Sequence, residues 1–401
     1  MTGWALGREQ PVSAIEVIQR DTCLWRISPD VPRTDIAERF TDRPGADAAG
    51  FFVTVGGLSL DREFELLVRA RLEDRTRIPI ATIAGSRAAL ATSYEPQMQP
   101  LMVTTLGRTG STALVRMLGA HPEVAAYRPF EYEPRAASYW MGVLRGLAEP
   151  SSYRRQLMPS GPIDGSWWLG TDPPLPRRIR EPELGDWLGR EAIAELAGFC
   201  QSRVDGLYVR VAALQDRPAA RYFAEKLRPD FVPELMGEIY PGAREVILAR
   251  DFRDMVSSMF AFNAKRGFQG FRRGAAASDA EFIADRVGGS VAALERAWRS
   301  RADRAHLVRY EDMVRHPRAT AEGLLGHLGL DSSDAALDAM VASVTARGDE
   351  SDGHRTVRDP ADSIGRWRTD LSPDLQSACE EALGPALRSF GYEEEVAHGH
   401  R

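Results

Sequence analysis

Leu101-Met102-Val103-Thr104-Thr105-Leu106-Gly107-Arg108-Thr109-Gly110-Ser111-Thr112 decides how this chain is read. An apolar β-like run enters a turn bracketed by Gly107 and Gly110, and the turn carries Arg108 among the hydroxyls of Thr109, Ser111 and Thr112. A helix follows at once. Leu114, Met117 and Leu118 keep helical spacing, Gly119 stands where a C-cap glycine would, and Pro122 blocks continuation. Strand, tight loop and helix N-terminus in that order make a phosphate cradle, because backbone N–H groups and the positive end of the helix dipole converge on one spot. The alternative is an ordinary strand-to-helix turn with an exposed arginine.

The loop is not that of an ATPase or GTPase, which needs Lys directly after its second glycine. Here Ser111 follows Gly110, and the cation Arg108 precedes it. A nucleotide-dependent phosphotransferase is disfavoured on that ground. The loop instead resembles the 5′-phosphosulfate loop of sulfotransferases, P-[KR]-[ST]-G-[ST]-[ST]. Arg108, Thr109, Gly110, Ser111 and Thr112 match position by position, and Gly107 replaces the usual proline. The His121-Pro122 pair also resembles the end of that family's loop helix, with His121 a structural residue rather than a catalyst.

Three later segments carry the same resemblance in order. Glu245-Val246-Ile247-Leu248-Ala249 is a buried-strand candidate ending in Arg250, followed by a helix with Met255, Val256, Met259 and Phe260 as its apolar stripe. Arg250-Asp251-Phe252-Arg253-Asp254 through Ser258 is similar to the family's 3′-phosphate segment, R-D-P-R-D-x-x-x-S. An arginine fork at a strand end and a serine one loop later can converge on one phosphate. Arg309-Tyr310-Glu311-Asp312-Met313 is similar to [RK]-Y-E-[DE]-[LM], which makes Tyr310 a nucleotide contact or, alternatively, a core aromatic with a hydroxyl to satisfy. Ser363-Ile364-Gly365-Arg366-Trp367 resembles the S-x-G-R-W of bacterial members. There Arg366 and the Gly365 amide would hold the 3′-phosphate and Trp367 would pack the loop down.

The resemblance covers roughly residues 97 to 392. It implies transfer of a sulfuryl group from 3′-phosphoadenosine-5′-phosphosulfate to a hydroxyl of a carbohydrate, glycolipid or secondary-metabolite acceptor, on an α/β fold with a P-loop-like parallel sheet flanked by helices. Arg108 would stabilise the bridging oxygen and the leaving phosphate. Its permanent charge suits that role and makes it a poor general acid. Within Tyr127-Arg128-Pro129-Phe130-Glu131-Tyr132-Glu133, the resemblance to members with a glutamate base points to Glu131, with Glu133 in reserve. Lys226, in Phe223-Ala224-Glu225-Lys226, resembles a family lysine that contacts the sulfuryl oxygens. No metal is required if fixed cations and amides carry the electrostatic stabilisation, and no spacing of His, Cys or carboxylates reads as a metal site. A non-catalytic nucleotide-binding module on the same fold is the remaining alternative.

At 401 residues the chain has room for one large and one small domain. Its 43% hydrophobic and 27% charged content are those of a soluble globular protein. A net charge of −6 argues against a general nucleic-acid binder. Cys23, Cys200 and Cys379 form no CxxC pattern, so a reducing, cytoplasmic setting is expected, with neither a disulfide framework nor zinc. No signal peptide or membrane-spanning run is apparent.

Residues 1–96 read as a small β-rich accessory domain, with strand-like runs at Ala14 to Val17, Cys23 to Ile27, Gly50 to Val55, Phe64 to Ala70 and Ile78 to Ile83 separated by turn signals. A sandwich is one arrangement open to it. Residues 97–395 form the sulfotransferase-like domain, and 396–401 a tail. About 133–206 is a helical insertion suited to acceptor recognition or, equally, to completing the core. Leu207 to Val211 reads as a further sheet strand, and 275–300 as helical.

Overall fold

The computed structural model describes residues 1–20, 22–127, 134–148, 182–229, 231–345, 356–357 and 359–392. Two compact units emerge: Met1–Ser93 with Gly142–Gly198, and Tyr94–Met141 with Phe199–Arg401.

Within the first unit, the turn-separated runs of the sequence become antiparallel strands. These are β1 (Thr2–Trp4), β2 (Val12–Gln19), β3 (Thr22–Ile27), β4 (Gly50–Phe52), β5 (Glu63–Leu72) and β6 (Arg77–Ser86). They form a four-stranded sheet of order β3-β2-β5-β6 and a separate β1-β4 pair. Alternation puts Ile15, Val17, Leu66, Val68 and Ala70 into one apolar cluster with Trp25, Phe51 and Val53. Glu16 points the other way and is fully buried. It lies opposite Arg69 on one neighbouring strand and Arg26 on the other, and both arginines bond its carboxylate.

The second unit is built on a parallel sheet. Its strands are β7 (Gln99–Thr105), β8 (Val124–Ala125), β9 (Tyr222–Leu227), β10 (Arg244–Ala249) and β11 (Ala305–Arg309), in spatial order β11-β10-β7-β9-β8. Every pairing is parallel. Apolar runs bury both faces, as such sheets require. Leu101, Val103, Val246 and Leu248 join Leu114, Met117 and Leu118 on one side. Ile247 and Ala249 meet Phe252, Met255, Leu294 and Leu383 on the other. After β9 the chain crosses β7 to lay down β10. The carboxyl ends of β7 and β10 therefore flank the point where strand order reverses, the usual ligand position of open α/β sheets.

The segment Leu207 to Val211 is not a strand. It lies inside the helix Ala192–Leu214, where Val204, Tyr208, Val211 and Ala212 are buried at helical spacing. A short β-branched and aromatic run fits either period, and the flanking residues decide it. The 275–300 stretch is helical, with one π-helical turn at Phe282–Val287 feeding the helix Gly288–Arg301.

Candidate active site

The loop after β7 is braced from within. Thr109 is fully buried; its hydroxyl shares a 2.6 Å bond with that of Thr105 and donates to the Leu106 carbonyl at 2.8 Å. Thr105, which then donates to Thr109, also stands 3.0 Å from the Leu248 carbonyl of β10. The Thr109 side chain is thus a strut, and only its backbone is left to face an anion. Gly110, at φ +90°, is the N-cap of the helix Ser111–Leu118. A Cβ there would stand 2.3 Å from the Tyr310 ring, so glycine is needed for the backbone angle and for ring clearance alike.

Arg108 donates from Nε to the Ser258 hydroxyl at 3.2 Å, and its guanidinium lies 4.6 Å over the Phe262 ring. Arg250, at the end of β10, is 4% exposed. It donates to the carbonyls of Arg108 at 3.2 Å and Ser363 at 2.6 Å and stacks on Tyr310 at 4.6 Å. Its Nε is buried without a hydrogen-bond partner. Burial, with the Arg250 guanidinium next and Arg366 beyond, pushes the Arg108 pKa down to about 10, against a smaller opposing effect of Tyr310. Buried cations gathered at one loop mark a place for an anion.

These side chains line one cleft: Arg108, Gly110, Ser111 and Thr112 on one wall, Arg250, Ser258, Tyr310 and Ser363 on another. The Tyr310 hydroxyl pairs with that of Ser363 at 3.1 Å, so Tyr310 is both a core aromatic and a wall of the cleft. Lys226 reaches across from β9 and donates to the Thr112 hydroxyl at 2.9 Å.

The late loop is arranged differently from its expected phosphate-holding form. The Gly365 amide donates to the Asp254 carboxylate at 2.7 Å, and the Trp367 amide to the same group at 2.9 Å. Burial pushes the Asp254 pKa up, and these two amides oppose it. Arg366 pairs with Asp370 at 2.5 Å and donates to Thr356, itself a cleft residue. Trp367 is buried under the Arg253 guanidinium at 4.1 Å, which packs the loop down as expected. Asp254 was missed at the sequence level, although it stands inside the quoted 3′-phosphate segment. Glu131 and Glu133 lie outside the described residues. His121 is buried at the helix end, its ring bonded to the Asp331 carbonyl and the Glu123 amide.

Glu225, the strand neighbour of Lys226, is fully enclosed. It accepts from the amides of Ala137 and Ser138, at the start of the helix Ala136–Ala148, and from the Tyr208 hydroxyl. Burial pushes its pKa up to about 7 against these three donors. Among the described residues no group of three or more His, Cys, Asp or Glu is placed to hold a metal ion, and no helix is long and apolar enough to cross a membrane.

The sulfotransferase family model matches residues 100–334, more than half of the chain, and the chain belongs to that family. Mouse carbohydrate sulfotransferase 7 is 36% identical over 88 residues, covering 21% of this chain and 18% of its own length. The chain thus spans about a fifth of that curated relative. Among solved structures, the sulfotransferase domain from the curacin biosynthetic pathway is 16% identical, covers 73% of this chain and 98% of its own, and gives a TM-score of 0.40. A mouse sulfotransferase complexed with PAP is 13% identical, with 74% and 87% covered and a TM-score of 0.40.

Proposed function

We propose that this chain moves a sulfuryl group from 3′-phosphoadenosine-5′-phosphosulfate to a hydroxyl of a carbohydrate, glycolipid or secondary-metabolite acceptor. One observation carries the reading: Arg108, Arg250 and Ser258 converge at the ends of β7 and β10, with the Arg250 Nε buried and unpaired. That is a built receptor for phosphate oxygens rather than a solvated charged turn.

In this reading the loop amides after β7 and the hydroxyls of Ser111 and Thr112 take the 5′-phosphosulfate. Arg250 and Ser258 take the 3′-phosphate, and Tyr310 borders the adenine. Arg366 and the Gly365–Trp367 loop close that side; the Gly365 amide supports it through Asp254 rather than by contact. The acceptor oxygen bonds to sulfur as the bond from sulfur to the bridging oxygen breaks. The bridging electron pair leaves on the phosphate, where Arg108 offsets its charge. Lys226 stands ready for the sulfuryl oxygens, and Glu131, or Glu133 in its place, takes the acceptor proton.

Calorimetry with the two nucleotides tests the donor assignment. 3′-Phosphoadenosine-5′-phosphate should bind roughly 10- to 150-fold more tightly than AMP, the equivalent of one charge-assisted contact. Arg250→Ala should erase most of that difference. Equal affinity of the wild type for both nucleotides would overturn the assignment.

A further inference from the structure

We propose that segment 267–273, which crosses the phosphate loop at Gly107, is the acceptor platform, and that Phe268 and Phe271 stack on the ring of a hydroxylated cyclic acceptor. This rests on the sulfotransferase reading above.

The segment is fixed at both ends. Gly267 caps the helix Phe252–Arg266 in the left-handed conformation. The buried Asn263 side chain accepts from the Gly270 amide at 3.1 Å and donates to its carbonyl at 3.4 Å. Arg273 makes a two-pronged pair with Asp279, both contacts at 2.6 Å, and stacks on Phe260 at 4.1 Å.

Between these anchors, Phe271 and Arg272 hold φ values of +60° and +61°. Bulky residues resist that region, and such conformations persist where the surroundings dictate them, most often at working sites. Both rings of the segment reach solvent: Phe268 is 53% exposed and Phe271 37%. They are nonetheless ordered around Phe262, at centroid distances of 6.4 and 6.0 Å.

Position gives the platform its purpose. Phe262 carries the Arg108 guanidinium at 4.6 Å, so this ring links Phe268 and Phe271 to the cation assigned to the leaving group. The edge of Phe271 approaches Gly107 closely enough that a Cβ there would touch it at 3.4 Å. Gly107, where the resembling loops have proline, lies directly under this ring. The two rings stand outside the nucleotide cleft itself, on the Gly107 side of the loop that carries Arg108, where an acceptor rather than the donor would meet them. The flat face of a pyranoside or of a phenol stacks on an aromatic ring, and an open-chain alcohol has no such face.

The test uses the full chain loaded with 3′-phosphoadenosine-5′-phosphate, and methyl β-D-glucopyranoside, phenol and sorbitol as probes, read by saturation-transfer NMR. Either ring probe, but not sorbitol, should give a signal, and which of the two does so separates sugar from phenol acceptors. Phe268→Ala and Phe271→Gly should each weaken that signal about five- to ten-fold, with nucleotide affinity by calorimetry unchanged. Phe268→Tyr should restore it. Glycine accepts φ near +60°, and a melting temperature measured on each variant separates loss of the ring from a folding defect. Normal nucleotide binding with no ring signal, or variants that bind the ring probe like the wild type, overturns the platform. Failure to prefer 3′-phosphoadenosine-5′-phosphate over AMP overturns the donor reading instead.

Discussion

Gly110→Ala isolates what the phosphate loop demands of its backbone. The new methyl meets two separate penalties. At φ +90° an L-residue is strained by about 1–2 kcal/mol. Its Cβ would also sit 2.3 and 2.6 Å from the ring carbons of Tyr310. That ring cannot swing away cheaply, because it is buried, stacked under Arg250 and tied through its hydroxyl to Ser363. Overpacking of this kind costs about 1–3 kcal/mol, so the total is roughly 2–5 kcal/mol, a fall in melting temperature on the order of 5–15 °C. Calorimetric melting of Gly110→Ala, Tyr310→Ala and the double variant separates the two penalties. The strain survives in the double variant and the clash vanishes, which gives a coupling of about 1–3 kcal/mol. A single variant that melts within a degree of the wild type, or one that Tyr310→Ala does not relieve, would refute the reasoning.

Glu225 supplies a pH-dependent prediction. Its pKa rises from 4.5 to about 7 on folding, so its favourable contribution is full below pH 4.5 and is lost as pH climbs through 7. Relative to Glu225→Gln, the wild type should lose roughly 3 kcal/mol across that window, read from urea unfolding at successive pH values; parallel curves would rule out the raised pKa. For the base, Glu131→Gln should leave donor affinity near wild type while turnover falls about 10²–10⁴-fold. Near-normal turnover in Glu131→Gln with loss in Glu133→Gln would move the base two residues on, and activity in both would exclude this loop.

The parts of the fold that could be read in sequence are those where one local pattern sufficed. Leu101 to Thr105 is an apolar run entering a glycine turn, and Glu245 to Ala249 is another ending in Arg250; both are strands of the parallel sheet. The five β-like runs before Ser93 likewise became antiparallel strands. Tyr208 misled because five residues of mixed β-branched and aromatic character do not define a period, and only Val204 and Ala212 on either side reveal the helix. In the site, residue types were legible and their partners were not. That Thr109 would turn its hydroxyl inward while Ser111 and Thr112 face the cleft depends on the loop's exact path. That Asp254 would take the Gly365 amide depends on a contact spanning 111 positions. The aromatic segment after Arg266 carries no familiar spacing, and only its backbone angles and exposure single it out.

The crowding of Arg108 against Arg250 has a practical consequence. A buried guanidinium whose pKa has dropped to about 10 is under electrostatic tension, and any small multivalent oxyanion that enters the cleft relieves part of it. Binding to the folded form alone raises stability with the logarithm of ligand concentration. Inorganic sulfate or phosphate in a buffer should therefore raise the melting temperature during storage and compete with the donor during assay, which melting and kinetics at graded sulfate check. Kinetic constants for this protein acquire meaning only with the buffer anion stated, and an anion-free buffer is the proper reference for its melting temperature.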